Sequence, residues 1–491
     1  MASTVPSAVS ATTEAKSSGR KERVVILGSG WAGYAFARTL DPRKYERIMV
    51  SPRSYFVFTP LVAGTAVGTL EFRAVIESVR KLHLDNYYQG WADDIDFSRK
   101  VIRVEANTSD DLTSRTMLPP PQLPPGKILH ETEKGPTFDV PYDKLVIAVG
   151  AYAQTFGIEG VKEHANFLRN VGDARKVRMK ILQCFEKASL PITTDEERRK
   201  LLHFAVVGGG PTGIEFAAEL HDLVRDDLGK LYPALAGFVK ITVYDVAPKV
   251  LPMFDQKLAQ YAMDVFRRER IAVKTEHHLT RIRPDDDCAG CLRLRFREYG
   301  DEEIGAGIVV WSTGLMQNPL IQKLASSKVV GSSGAATTRL QHDEKTGGLV
   351  TDPRLRVTTV SGEPGPGQED VSVLPDVYCI GDCAVVAGQR YPATAQVASQ
   401  QAVYLAKQLN RGPTAADADA RPFRFRNWGV MTYLGSWRAI HQSSADELTG
   451  RAAWFLWRTA YLTKSMSVRN KIMVPVYWAI SYLFGRDVSR F

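Results

Sequence analysis

The stretch Val24-Val25-Ile26-Leu27-Gly28-Ser29-Gly30-Trp31-Ala32-Gly33 decides the fold, because about 180 residues later the chain repeats it as Phe204-Ala205-Val206-Val207-Gly208-Gly209-Gly210-Pro211-Thr212-Gly213. Each is a short apolar run without alternation, as a strand buried on both faces requires. Each run ends in a glycine turn that opens a helical pattern. The glycines of such a turn allow tight bending, close approach of a pyrophosphate and close helix packing, and the helix N-terminus supplies N–H donors. Ile48-Met49-Val50 and Ile241-Thr242-Val243-Tyr244 read as the second strands, and runs ending at Gly150 and Gly314 close the two units. The expected fold is α/β, with two Rossmann-like dinucleotide-binding domains.

The rest of the chain arranges itself around this pair. Its 491 residues, 44% hydrophobic and 24% charged, supply ample core and exclude wholesale disorder. Five cysteines exclude a disulfide-stapled secreted scaffold. Residues 1–20 read as a disordered or targeting N-terminus and 21–165 as the first part of a flavin domain. Residues 166–317 read as an inserted nicotinamide domain and 318–420 as the second flavin part. A Pro-rich excursion (107–138) and two Gly-rich loops (331–336, 362–367) interrupt the pattern. Residues 421–491 hold 11 basic and three acidic residues and five of the eight tryptophans, a composition suited to a membrane surface. Within them, 471–484 reads as an amphipathic helix with Pro475 in its first turn, lying in the interface rather than crossing it. Burial of that face in a homodimer is the rival reading.

Two nucleotide sites in one chain point to hydride transfer between a nicotinamide and a held flavin. The first turn (Gly28, Gly30, Trp31, Gly33) lacks the ribose-binding acid after its second strand, where Ser51-Pro52-Arg53 stands instead. The second turn (Gly208, Gly210, Thr212, Gly213) has that acid in Asp245, which would hold ribose hydroxyls and repel a 2′-phosphate, favouring NADH over NADPH; the alternative is a cap for the following turn. Glu215 either contacts the nicotinamide region or is a first-turn Glu favoured by the helix dipole. Gly381-Asp382 reads as a second flavin contact at a strand end.

These features, with Ser51 through Leu61 and Ala395-Gln396-Val397-Ala398-Ser399-Gln400, resemble the type II (alternative, rotenone-insensitive) NADH:quinone oxidoreductases from about residue 22 onward. The resemblance implies non-covalent FAD held by Gly28, Gly30, Trp31, Gly33, Ser51, Thr59, Gly150, Asp382 and Gln396. It implies NADH as substrate at Gly208, Gly210, Thr212, Gly213, Glu215, Asp245 and Gly314, although the family usually carries Glu where this chain has Asp245. It also implies ubiquinone as acceptor, with Gln396, Gln400, Glu215 and Tyr461 at the reacting groups and Trp457 and Arg458 in the same C-terminal pattern. The implied protein is a non-proton-pumping respiratory-chain flavoprotein, a homodimer, peripheral to the mitochondrial inner membrane on a face that the residues do not specify.

The competing readings are weaker in residues. Cys288-Ala-Gly-Cys291 is a CxxC of the sort disulfide reductases use, but Pro284 and three aspartates mark it as a surface loop far from the second turn. His277 and His278 have no partners at metal spacing, so no metal is expected. An apoptosis-inducing-factor-like FAD/NADH redox-signalling protein would share both turns and differ in slow quinone turnover. Five tryptophans with little Gly or Ser argue against nucleic acid as the partner of the basic tail.

Overall fold

A computed structural model describes residues 20–107, 135–330, 337–361, 370–412, 421–444, 446–464 and 467–489. The expected targeting segment (all but Arg20), most of the Pro-rich excursion and both Gly-rich loops lie outside them. The first glycine turn joins β1 (Glu22–Leu27) to α1 (Trp31–Thr39), and the chain returns as β2 (Tyr45–Ser51). With β3 (Asn86–Asp96), β4 (Lys144–Ile147) and the much later β8 (Asp370–Cys379), five strands run parallel in the order β8-β4-β1-β2-β3 inside a 12-stranded sheet. A strand from beyond residue 370 thus completes the sheet begun at residue 22.

The second turn joins β5 (His203–Val207) to α3 (Pro211–Leu223), followed by β6 (Lys240–Tyr244) and β7 (Ile308–Trp311). With Asn166–Phe167 and Ala272–Lys274 they form a separate five-stranded, wholly parallel sheet. Val24 through Leu27 and Phe204 through Val206 have no exposed surface. Burying each of the larger side chains is worth roughly 1.5–3 kcal/mol, which explains the uninterrupted apolar runs. Between the sheets, α2 (Val171–Ser189) begins at a reciprocal cap in which Asn170 and Asp173 satisfy each other's backbone N–H groups. Thr394 caps α4 (Ala395–Arg411), which packs on α1.

After residue 421 a three-stranded antiparallel sheet, led by β9 (Val430–Gly435), precedes α5 (Gly450–Lys464) and α6 (Val468–Phe484). Helix α6 starts three residues before the expected Lys471, because the Ser467 hydroxyl accepts the Asn470 N–H at 3.1 Å. Pro475 is therefore the eighth residue of the helix and not in its first turn, so it removes an interior hydrogen bond. Helix α6 carries polar anchors inward and an apolar patch outward. Beside Val474, Tyr477 and Trp478, which pack on the core, its inward contacts are polar: Asn470 donates to Ile76 O, Ser481 to Thr69 O, and Arg486 just beyond the helix to Thr69 and Asp227. Its outward side chains are apolar: Val468, Ile472, Val476, Ile480, Leu483 and Phe484 are all exposed. No described helix is long and apolar enough to cross a membrane.

The CxxC also differs from expectation. It turns a hairpin between Leu279–Pro284 and Leu292–Phe296, but Cys288 and Cys291 are buried and joined as a disulfide. Lys180 and Lys187 of α2 donate to the Gly290 and Ala289 carbonyls, which holds the hairpin on the helix. The surrounding aspartates mark a polar rim, and the sulfurs beneath it are core. Cys379 is buried as expected and touches Cys383 at 3.6 Å between sulfurs.

Candidate active site

The two glycine turns share the same backbone contacts. Gly28 and Gly208 sit at φ +104° and +116°, a region that favours glycine, and each donates at 2.8 Å to the carbonyl one residue before the end of the second strand or at its end, Val50 and Tyr244. A Cβ on Gly33 would lie 1.9 Å from the Gly28 carbonyl, and one on Gly213 would lie 2.0 Å from that of Gly208, so the helix can approach the turn only without side chains there. A Cβ on Gly30 or Gly210 would meet nothing within 4 Å. The middle glycine of each turn therefore faces open space at a helix N-terminus, where a pyrophosphate fits. Gly150 and Gly314, at φ +68° and +76°, end the closing runs in the same way.

At the first turn, Ser51 takes the place of the missing acid. Its buried hydroxyl meets that of Ser29 at 2.9 Å, tying the end of β2 to the glycine turn. Trp31 donates its indole N–H to Thr59 at 2.9 Å, linking α1 to the loop after Phe58. Asp382 lies across the site; burial raises its carboxyl and Arg169 opposes that rise. Burial likewise lowers Arg169, which feels Asp382 and Arg53 together. Arg53 and Arg169 were not singled out from the sequence, although Arg53 lies two residues beyond Ser51 in the stretch that replaces the acid.

At the second turn, the Asp245 carboxylate accepts the Gly209 N–H on one oxygen and the Ala247 N–H, at 2.7 Å, on the other. The capping reading of Asp245 is thus realised, and each oxygen keeps a lone pair for a ribose hydroxyl. Thr212 stands in the first turn of α3 behind Pro211.

Glu215 does not stand free at that turn. It is buried, accepting the Tyr433 N–H at 3.1 Å and the Trp457 indole N–H at 3.2 Å on one oxygen. Burial pushes its carboxyl up to about 8, against the lowering effect of those two donors. Tyr433 stacks on Trp457 with ring centroids 5.4 Å apart, and Trp457 meets Tyr461 edge-on at 5.0 Å. Tyr461 in turn approaches Phe58 at 6.1 Å. Burial raises the Tyr461 hydroxyl, and Glu215 adds to the rise. The loop after β2, helix α3 and the C-terminal segment therefore converge on one carboxyl.

Gln396 and Gln400 do share a face of α4, but both amides are engaged. Gln396 donates to Gly429 O and accepts the Trp428 N–H, while Gln400 donates to Arg426 O and accepts the Arg426 N–H. Together they clamp the extended segment that becomes β9. Arg458 is sandwiched by Trp454 and Trp478, 4.7 and 4.1 Å from the two ring centroids, and joins α5 to α6.

Two glycine cradles, each at the head of a parallel sheet in one chain, define a pyridine nucleotide-dependent oxidoreductase. The family of pyridine nucleotide-disulphide oxidoreductases matches residues 22–402, and the NDH2 C-terminal domain matches 428–487. Among relatives, a "Probable NADH dehydrogenase" of Dictyostelium discoideum is 38% identical, covering 96% of this chain and 91% of its own. An "Internal alternative NAD(P)H-ubiquinone oxidoreductase A1, mitochondrial" of Solanum tuberosum is 34% identical over 97% and 90%. The solved NDH2 from Plasmodium falciparum in complex with NADH matches with a TM-score of 0.78 and 25% identity, covering 96% of this chain and all of that one. The chain belongs to the type II NADH dehydrogenase family.

Proposed function

We infer that this enzyme oxidises NADH and reduces a membrane quinone, ubiquinone in the first instance, without moving protons across the membrane. The observation that carries the reading is two glycine cradles in one chain joined by a C-terminal segment whose last helix exposes an apolar face. FAD, when bound at the first cradle, supplies the hydride acceptor for NADH and the two-electron donor for quinone. The chain's own residues do the rest. Gly28, Gly30 and Gly33 with the α1 N-terminus receive the FAD pyrophosphate, Ser51, Trp31, Thr59 and Gly150 shape the pocket around it, and Asp382 holds its ribityl chain. Gly208, Gly210, Thr212, Gly213 and Gly314 receive NADH, with Asp245 on its ribose.

Glu215, protonated at neutral pH, faces the reacting region as a proton donor, with Tyr461 beside it. Gln396 and Gln400 act through the segment they clamp, and Gln396 lines the quinone headgroup with its remaining N–H. Exposed Ile472, Val476, Ile480, Leu483 and Phe484, flanked by Arg469 and Lys471, dock on a bilayer. An aqueous-facing helix would have carried these apolar side chains inward and Asn470 and Ser481 outward. Residues 421–491 then anchor the protein peripherally to the mitochondrial inner membrane and contribute to a homodimer.

Anaerobic stopped-flow absorbance of the FAD-loaded protein tests the reading, mixing first with NADH and then with a short-chain ubiquinone. Rapid bleaching and rapid recovery of the flavin band are expected. A long-lived bleached state that quinone does not reoxidise would overturn quinone reduction in favour of a redox-signalling role.

A further inference from the structure

Reduction of quinone by NADH breaks the C4–H bond of nicotinamide, moves two electrons and forms two O–H bonds. NADH supplies one of the two protons and solvent must supply the other. Glu215 has almost no contact with solvent, being roofed by β9, α5 and α6. A route for its reprotonation is therefore required, and it rests on the quinone-reductase reading above.

Helix α3 carries two further buried carboxyls, Glu219 and Asp222, one and two turns beyond Glu215 on the same face. Glu219 accepts the Thr69 hydroxyl at 2.7 Å, and Asp222 accepts the Tyr433 hydroxyl at 2.6 Å. Glu215, Glu219, Thr69, Tyr433 and Trp457 line one small cavity, with room for about a single water. At the outer end Asp222 lies 3.9 Å from His221, whose other ring nitrogen is 3.8 Å from the partly exposed Glu269. Three buried acids on one helix face are costly to keep for structure alone, since apolar residues would pack there without desolvation.

We propose that Asp222, the Tyr433 hydroxyl, Glu219 and the cavity between Glu219 and Glu215 form a proton path along α3, running from His221 at the surface to the quinone site. Its charges are balanced by Arg486, which donates to Thr69 and pairs with Asp227, by Arg225 on Asp222, and by Arg458. Burial pushes Asp222 up, but its hydrogen bonds hold it below the ordinary carboxylate range, whereas burial leaves Glu219 and Glu215 raised.

Glu219→Gln in the full-length, FAD-loaded protein tests the path. Flavin reduction by NADH and reoxidation by short-chain ubiquinone are followed separately in H₂O and D₂O, with ferricyanide, which takes electrons and no proton, as the comparison acceptor. Reoxidation by quinone should slow about tenfold or more and gain a solvent isotope effect larger than wild type, while reoxidation by ferricyanide should keep the wild-type rate. Infrared spectra should also lose one protonated-carboxyl C=O band. Quinone reoxidation at the wild-type rate, or equal slowing with both acceptors, would overturn the path. Tyr433→Phe, which keeps the ring on Trp457, should act in the same direction and serves if Glu219→Gln does not fold. A wild-type protein that quinone fails to reoxidise would overturn the parent reading and this path with it; wild-type turnover beside an unimpaired Glu219→Gln would overturn the path alone.

Discussion

Glu215→Gln separates stability from turnover at one atom. Burial raises the Glu215 carboxyl from 4.5 to about 8. The folded chain thus holds a proton that the unfolded chain releases. Below pH 4.5 both states are protonated and the full stability is present. Between 4.5 and 8 each unit of pH costs the fold about 1.4 kcal/mol, and the loss is complete, at about 5 kcal/mol, once pH exceeds the folded value. Glutamine keeps the acceptor oxygen for the Tyr433 and Trp457 N–H groups but cannot ionise. From pH 5 to pH 8 the wild type should therefore lose about 4 kcal/mol relative to the variant. At an unfolding entropy of about 2.1 cal/mol/K per residue, that is about 4 °C in Tm for a chain of this length. Calorimetry of both proteins from pH 5 to pH 8 checks it. The variant should become the more stable of the two as pH rises, while its quinone turnover falls by tenfold or more. Parallel Tm curves would refute the assignment of a raised carboxyl to this position.

Other substitutions test the remaining parts. Asp245→Ala should raise the KM for NADH and narrow the preference over NADPH; unchanged cofactor preference would remove Asp245 from ribose recognition. Gln396→Ala should slow flavin reoxidation by quinone more than flavin reduction by NADH, because it frees Trp428 and Gly429 from α4; equal slowing of both halves would count against a quinone-side role. Ile472→Glu with Leu483→Glu removes two exposed apolar side chains, each worth roughly 1.5–3 kcal/mol when buried in lipid, and should cut co-sedimentation with anionic liposomes at least tenfold. Undiminished co-sedimentation would place the membrane contact elsewhere. Cys288→Ser with Cys291→Ser should leave NADH:quinone turnover intact, and a loss of turnover with stability preserved would reopen a disulfide mechanism.

The two cradles were legible because their signal is local. A glycine with φ above +100°, a second facing open space and a third under a carbonyl leave a trace within six residues, and the strands around them are buried on both faces. Glu219 and Asp222 left an equally regular trace, at i+4 and i+7 from Glu215, yet acids on a helix ordinarily mark its wet face. Only the arrival of β9 and α6, more than 200 residues later in the chain, shows that this face is dry. The roles of Gln396 and Gln400 depend in the same way on residues 426–429. Pro475 and the CxxC were misplaced for opposite reasons. The Ser467 cap lies outside the apolar pattern used to find the helix, and the aspartates around Cys288 describe the rim of the hairpin and not its sulfurs.

The polar contacts of α6 tie its exposed apolar face to the two nucleotide-binding units beneath it. Asn470 and Ser481 hold the helix to the loop at residues 69–76, which belongs with the first cradle, while Arg486 reaches Asp227 in the π turn that continues α3, which belongs with the second. The Arg486–Asp227 pair is nine-tenths buried, and losing one partner of such a pair costs about 3–5 kcal/mol. Helix α6 is thus fixed to both nucleotide-binding units through polar contacts that lipid could not replace. Its apolar face is left with no use inside the molecule. Trp478 of this helix, Trp457 and Glu215 line one wall of the same small cavity. The C-terminal segment that carries this exposed apolar face also buries Glu215, through Tyr433 and Trp457, so the raised proton affinity of that carboxyl depends on how the segment is seated.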